Sequence, residues 1–195
     1  VRREMLFLKC ERIEFNDFVS AAGLLQKGFR EVEELVTWIR PTARFAYTNV
    51  KKATLKDAWR CMMIAKESFV YDRRHQDGNI PNWSADLSKM WAVGRGFWRR
   101  AFTVFVIERQ EGHGVVGFIS CVMYAPTARI DLIAVSRPHR RAAMAENLIA
   151  KALHYYGEQG CSHIFVGTQA HNTASCKLYE SLGFVIGRRQ RTFHK

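Results

Sequence analysis

Two rhythms of apolar residues run along the chain, and they separate strands from helices. FTVFVIE (102–108), VVGFISCVM (115–123) and RIDLIAV (129–135) are short, β-branched and aromatic runs, and the spacing predicts three consecutive antiparallel strands, with QEGHG as a hairpin turn. The period then lengthens. Met144, Leu148, Ile149, Ala152, Leu153 and Tyr156 fall on one face of a helix predicted over 143–156, stopped by Gly157 and Gly160. IFVGT (164–168) reads as a buried strand, Asn172 or Thr173 caps a short helix that Gly183 ends, and VIGRRQRTF closes with another strand. Three strands, helix, strand, helix, strand is the order of an α/β (α+β) sheet with parallel pairing in its middle.

The first half is patterned more weakly. A helix is predicted over 17–26 with Gly28 as its stop, an alternating strand over 32–39, and a further strand at RFAYTNV (44–50) after Pro41. Leu55, Ala58, Trp59, Met62, Met63 and Phe69 have amphipathic helical spacing behind a Thr54 cap. YDRRHQDGNIPNW reads as a long loop, followed by a helix from Ser84 to Trp91 that ends near Gly94 and Gly96. LLQKGF (24–29) before EELVTW echoes LYESLGF (178–184) before GRRQRTF: helix end, glycine, phenylalanine, charged strand. Either ordinary helix-to-strand turn chemistry or a duplicated half-fold accounts for it. The expected division is a small N-terminal lobe over 1–42, a partial half-fold, and a main domain over 43–195.

Composition narrows the class. With 195 residues, 48% of them hydrophobic and 25% charged, the chain reads as globular. It lacks the run of about 18 apolar residues that a membrane span needs. No charged-then-apolar leader opens the chain at Val1; no secretory signal is read there, and room is left for residues upstream. Five scattered cysteines, at 10, 61, 121, 161 and 176, suit a reducing compartment better than a disulfide framework or a zinc site, so a cytoplasmic location and no metal are expected. Thirty Lys and Arg against eighteen Asp and Glu give a formal charge of +12, which favours polyanionic partners: nucleic acid, an anionic surface, or a small molecule carrying several phosphates.

The segment VSRPHRRAAMAENLI bears on that choice. A strand ends at Val135, a turn contains Pro138, and the amides near Arg141–Ala145 are the unsatisfied donors of a helix N-terminus, ringed by Arg137, Arg140 and Arg141. A pyrophosphate suits such a site. The loop has no glycine, yet alanine keeps its amide. If Ala143 sits at negative φ inside the first turn, it crowds the site by one methyl group and favours the helix by roughly 1 kcal/mol over glycine.

From Val135 to Leu148, and again from Asn172 to Phe184 (N-x-x-x-x-x-L-Y-x-x-x-G-F), the chain resembles the GCN5-related N-acetyltransferase (GNAT) family, whose coenzyme loop R/Q-x-x-G-x-G/A places Arg140, Ala143 and Ala145. The resemblance covers about residues 100–195. It implies a mixed, mostly antiparallel sheet with flanking helices, acetyl-coenzyme A as donor, and a pantetheine arm lying in a splay between RIDLIAV and IFVGT, the fourth and fifth strands. Coenzyme contacts are then expected from Ile133, Ala134, Val135, Arg140, Arg141, Ala142, Ala143, Met144, Ala145, Asn172, Ser175 and Tyr179. By resemblance Tyr179 is the acid that protonates the leaving thiolate, and a phenol has the pKa to do so. Packing against its own turn is the plain alternative. Asp131 is the candidate base, or else the ion-pair partner of Arg129.

The acceptor is written in the first hundred residues. SFVYDRRHQDGNIPNWSADLSKMW (68–91) resembles a segment of acetyltransferases acting on nucleotide-linked 4-amino-4,6-dideoxyhexoses, the dTDP-fucosamine acetyltransferase type. On that resemblance Asp72, Arg73, His75 and Trp83 bind the acceptor, a small-molecule amine. No nucleic acid and no membrane partner is expected, and a homodimer is compatible. Two alternatives stand beside it: another amine acceptor, such as a protein N-terminus or an aminoglycoside, and a nucleic-acid-binding module using Arg188, Arg189, Arg191 and Lys195.

Overall fold

The computed structural model describes residues 9–68, 82–99, 101–109, 114–140 and 142–195. The elements run β1 (Cys10–Glu14), α1 (Phe18–Gln26), β2 (Arg30–Pro41), β3 (Val50–Lys52), α2 (Ala58–Ser68), α3 (Asn82–Trp98), β4 (Phe102–Glu108), β5 (Val115–Tyr124), β6 (Thr127–Val135), α4 (Met144–Glu158), β7 (His163–Gln169), α5 (Thr173–Ser181) and β8 (Val185–His194). Together they form a mixed α/β fold. One eight-stranded sheet has the order β1-β8-β2-β7-β6-β5-β4-β3, and every neighbouring pair is antiparallel except β6 with β7.

Each face of the sheet buries its own core. The apolar stripe of α4 (Leu148, Ile149, Ala152, Leu153, Tyr156) packs with Tyr179 and Phe184 against Val36, Trp38, Ile119, Ile130, Ile164 and Val166. Full burial of each large aliphatic side chain there contributes roughly 1.5–3 kcal/mol. On the opposite face Cys61, Ile64 and Ala65 of α2 and Val93 of α3 pack against Val106, Phe118 and Ala134.

Several elements differ from their sequence expectation, each for a physical reason. Helix α3 does not stop at Gly94 and Gly96 but runs through both to Trp98. A Cβ on Gly94 would meet Met62 Sδ at 3.3 Å, and one on Gly96 would meet Ser120 Oγ at 3.3 Å. These glycines permit close approach of α3 to α2 and to the sheet. The strand expected over 44–50 is reduced to three residues beginning at Val50. Thr54 does sit at a helix start, where Asp57 Oδ2 accepts from the Thr54 N–H at 2.8 Å, but the first turn is 3-10 before α2 begins. Strand β1 went unread because it has no buried face to impose an apolar alternation; four of its five residues are exposed.

The units β1-α1-β2 and β7-α5-β8 interlock in equivalent register. The residue spacing that carries Gly28 onto Gly183 also carries the cap Asp17 onto the cap Asn172 and the whole of α1 onto α5. β1 pairs with β8 as β7 pairs with β2: Cys10 faces His194, and their counterparts Phe165 and Ile39 face each other. Leu35 and Gln190 pair at the centre, with one bulge on either side, between Glu31 and Glu33 and between Thr37 and Trp38. The N-terminal strands therefore belong to the same sheet as the rest, with β2 inserted between β7 and β8.

Candidate active site

The site starts from a one-residue irregularity in β6. Leu132 pairs with Ser120 and Ile130 with Cys121 of β5, so Asp131 is an extra residue, a β-bulge. Its effect on side-chain direction is visible in the packing. Ala128 and Ile130 join the α4 core, whereas Leu132 and Ala134 turn to the α2/α3 core. The parallel pairing with β7 runs from Thr127/His163 to Ile130/Val166 and ends there, at the bulge. Beyond it β6 and β7 diverge, and the β7-facing backbone of Asp131–Val135 is left without a ladder partner.

A cavity of about 150 Å³ occupies this splay. It is lined from both sides of the sheet: Ser68 and Lys89 line it from α2 and α3, Asn172, Ser175 and Tyr179 from the α5 side, and Ile130–Ile133 and Val166–Gln169 from the two strands. Asn172 caps α5, its Oδ1 accepting from the Ser175 N–H at 3.3 Å. Tyr179 is 2% exposed and touches Trp38 and Phe184, with ring centroids at 6.3 and 5.7 Å. Burial pushes its hydroxyl well above the usual phenol range, so it is protonated at neutral pH and a weaker acid than a free phenol. Packing and cavity lining hold at once for this residue.

At the other end of β6, Ser136 and a short 3-10 turn (Arg137–His139) lead to α4. Ala143 is its N-cap and has φ 54°, the left-handed region. The condition of a negative φ is thus not met: glycine would be at ease here, and alanine carries a backbone cost of about 1–2 kcal/mol. The first-turn amides of Met144, Ala145 and Glu146 follow it directly. Asn147 braces the turn, donating from Nδ2 to the Ala143 carbonyl at 2.8 Å and accepting from the Thr48 N–H at 2.8 Å. Arg140 ties this loop to its surroundings, donating from Nε to the Val135 carbonyl (3.0 Å) and from Nη2 to Ser68 Oγ (3.2 Å). Ala142 and Met144 line a second, open depression with Thr48 and Asn147.

Of the sequence-predicted residues, the splay brings together Ile133, Asp131, Asn172, Ser175 and Tyr179. Ala134 and Val135 are buried with their side chains in the two cores and do not line the cavity. Asp131 accepts from Arg129 Nη2 at 3.1 Å, the ion pair named as its alternative role. Trp83 stands at the start of α3, 67% exposed and away from the cavity lining. Asp72, Arg73, His75 and Arg141 lie outside the described residues. Lys89, Ser68 and Thr168 escaped the sequence reading, the first two because nothing in a helical pattern says which polar position faces a cleft. Gln169 directly follows the IFVGT strand.

The arginine run of β8 is committed to acidic neighbours. Arg188 pairs with Glu14, Arg189 with Glu34 and Arg191 with Glu31, all across the strands. Among the described residues no helix is long and apolar enough to cross a membrane, and no cluster of three His, Cys, Asp or Glu forms a metal site. No disulfide joins any of the five cysteines.

The splayed parallel pair, the helix start of α4 and the buried tyrosine lie together, and comparison with known proteins identifies the family. The profile of the acetyltransferase (GNAT) family matches residues 58–184, and the chain belongs to that family. Acetyl-coenzyme A is the family's acyl donor. The chain is 37% identical to human (Homo sapiens) N-alpha-acetyltransferase 30 over 60 residues, 31% of this chain and 17% of that protein. It is 25% identical to the spore coat polysaccharide biosynthesis protein SpsD of Bacillus subtilis (strain 168) over 132 residues, 67% of this chain and 45% of SpsD. The chain thus spans less than half the length of these curated relatives. A putative GNAT-family acetyltransferase from Novosphingobium aromaticivorans shares the fold, with TM-score 0.63 and 18% identity over 86% of this chain and 66% of that one.

Proposed function

We propose that the protein is an acetyl-coenzyme A-dependent N-acetyltransferase whose acceptor is the amine of a nucleotide-linked 4-amino-4,6-dideoxyhexose. The observation that carries the acetyl-transfer reading is the splay itself. Its open β6 edge from Asp131 to Val135 offers backbone amides and carbonyls to an amide-containing arm, its far end meets the N-terminus of α4, and Tyr179 lies on its α5 side. No hydrogen bond occupies the Tyr179 hydroxyl among the described residues.

Bound acetyl-coenzyme A supplies an activated thioester. The residues of the chain do the rest. Backbone of β6 and the Asn172 cap orient the arm, and the first-turn amides of α4 face its pyrophosphate. The amine nitrogen attacks the thioester carbonyl, the C–S bond breaks, and the Tyr179 hydroxyl gives its proton to the departing sulfur. Asp131, on the opposite strand, is placed to receive the proton the nitrogen loses, directly or through water, and solvent reprotonates Tyr179.

Three observations support a hydroxylated, phosphorylated acceptor. The α2/α3 side of the cavity carries the polar side chains of Ser68 and Lys89. The formal charge is +12 while the β8 arginines are already paired, which weakens a nucleic-acid role for them. The resemblance of 68–91 and the similarity to SpsD, a polysaccharide biosynthesis protein, point the same way. The similarity to an N-alpha-acetyltransferase favours a second reading, a protein N-terminus as acceptor. The cysteine thiols fit a cytoplasmic setting.

Incubation with acetyl-coenzyme A and a panel of amines, read by mass spectrometry, separates the readings. One added acetyl group on a dTDP-4-amino-4,6-dideoxyhexose, and none on peptides, is the expected result. Acetylated peptide N-termini with untouched sugars would replace this acceptor by the second.

A further inference from the structure

The N-terminal unit reaches the cavity through a buried carboxylate. Glu33, in β2, has a side chain 2% exposed in an otherwise highly charged strand. Its Oε2 accepts from Gln169 Nε2 at 3.0 Å, its Oε1 from Thr192 Oγ1 at 3.4 Å, and Arg12 Nη2 stands 3.6 Å from Oε1. Arg12 Nε also donates to Thr192 Oγ1 at 3.3 Å. The strand pairings explain the grouping: Arg12, Thr192 and Glu33 face one another across β1, β8 and β2, and the Leu35/Gln169 pair follows two residues along β2 on the same face.

This network fixes which end of the Gln169 amide points where. An ionised carboxylate only accepts hydrogen bonds, so the –NH₂ end of Gln169 must be the end facing Glu33. The carbonyl Oε1 is thereby turned away from Glu33. It has no hydrogen-bond partner among the described residues, and Gln169 lines the cavity at the last position of β7. A neutral amine that aims its lone pair at a thioester still carries N–H groups that need an acceptor. An amide oxygen held in the cleft supplies one.

On the acetyl-transfer reading above, we propose that Gln169 is a specificity-determining residue whose Oε1 accepts an N–H of the acceptor amine, and that Glu33 is a positioning residue that keeps the amide in that orientation. Thus β2, outside the segment matched by the family profile, helps to build the acceptor half of the site.

The orientation argument defines its own test. In Glu33→Gln the obligate acceptor is lost and the Gln169 amide is free to turn over, so the acceptor KM should rise about tenfold, the scale of one broken hydrogen bond in a cleft. The KM for acetyl-coenzyme A should stay within about twofold, since neither Glu33 nor Gln169 is assigned a contact with that ligand. In the exchanged double variant Glu33→Gln/Gln169→Glu, an amide at 33 donates to a carboxylate at 169, which again presents an oxygen to the cleft. Its acceptor KM should return to within about threefold of the parent. Thermal melting checks that both variants are folded. An unchanged acceptor KM in folded Glu33→Gln, a parallel rise of both KM values, or no recovery in the exchange would each overturn the proposal, and misfolding of the single variant shifts the decision to the double one. A parent protein that acetylates no amine in the panel would instead sink the function reading, and this inference with it.

Discussion

The units β1-α1-β2 and β7-α5-β8 have helices of the same length, caps and left-handed glycines at equivalent positions, and equivalent pairings, yet only one of them lines the cavity. At the position of Tyr179 the first unit has half-buried Leu24, and at the position of the neutral cap Asn172 it has Asp17. The greater difference lies outside both units. β7 has β6 beside it, with its bulge and the start of α4, whereas β1 is the edge strand of the sheet. A β-α-β unit of this kind is therefore a support. The chemistry comes from what its outer strand faces and from two residues of its helix and cap, Tyr179 and Asn172.

The largest effect should come from the tyrosine. Tyr179→Phe removes the acid and is expected to lower kcat about a hundredfold while leaving the dissociation constant for acetyl-coenzyme A nearly unchanged, as read by calorimetry. The counterpart Leu24→Ala should leave kcat alone and cost about 1 kcal/mol of stability. If the two variants behaved alike, the difference between the units would be one of packing only.

A middle-sized effect concerns the left-handed positions. Gly28 and Gly183 end the two equivalent helices at φ 77° and 74°, and Ala143 sits at 54° without that freedom. Ala143→Gly should raise stability by roughly 1 kcal/mol, about 3 °C in melting temperature for a chain of this size. It should also tighten acetyl-coenzyme A. Gly28→Ala and Gly183→Ala should each lose a similar amount. A destabilised Ala143→Gly would mean that the cap does not hold this conformation.

The smallest effect is at the caps. Hydrogen bonding from the Ser20 side chain, together with the Ser20 N–H that Asp17 accepts at 2.9 Å, holds its carboxyl below the usual range. A lowered pKa stabilises the fold above the unfolded value of about 3.9, and the contribution is lost as pH falls through the folded value. The melting-temperature advantage of the parent over Asp17→Asn should thus be greatest at neutral pH and fade in acid. The Asn172→Asp variant should acquire the same pH dependence, and a difference flat across pH would remove the equivalence of the caps.

Much of the second half was legible because its strands and α4 bury continuous apolar stripes, and period follows burial. The echo between residues 24–29 and 178–184 was legible too, as a turn motif, though the equivalent pairing of the flanking strands lies in register and not in residue type. Other features depend on contacts that no single segment contains. Gly94 and Gly96 look like a helix stop until Met62 and Ser120 are seen against them. The β8 arginines look like a phosphate-binding run until Glu14, Glu31 and Glu34 arrive from strands some 150 to 175 positions away in the chain. Asp131 reads as one step in an alternation, but it is the step at which the alternation breaks. The cavity-facing roles of Ser68 and Lys89 depend on where two helices cross a sheet, which periodicity does not encode.

That break at Asp131 makes the cleft a matter of counting. The gap between β6 and β7 exists because one strand has one residue more than its neighbour, so its opening does not hinge on any particular side chain there. Removing that residue would turn the inward and outward positions of Leu132–Val135 over and let the two strands zip shut. The width of the cleft is thus set by residue number, and the identities along this stretch are left to the chemistry.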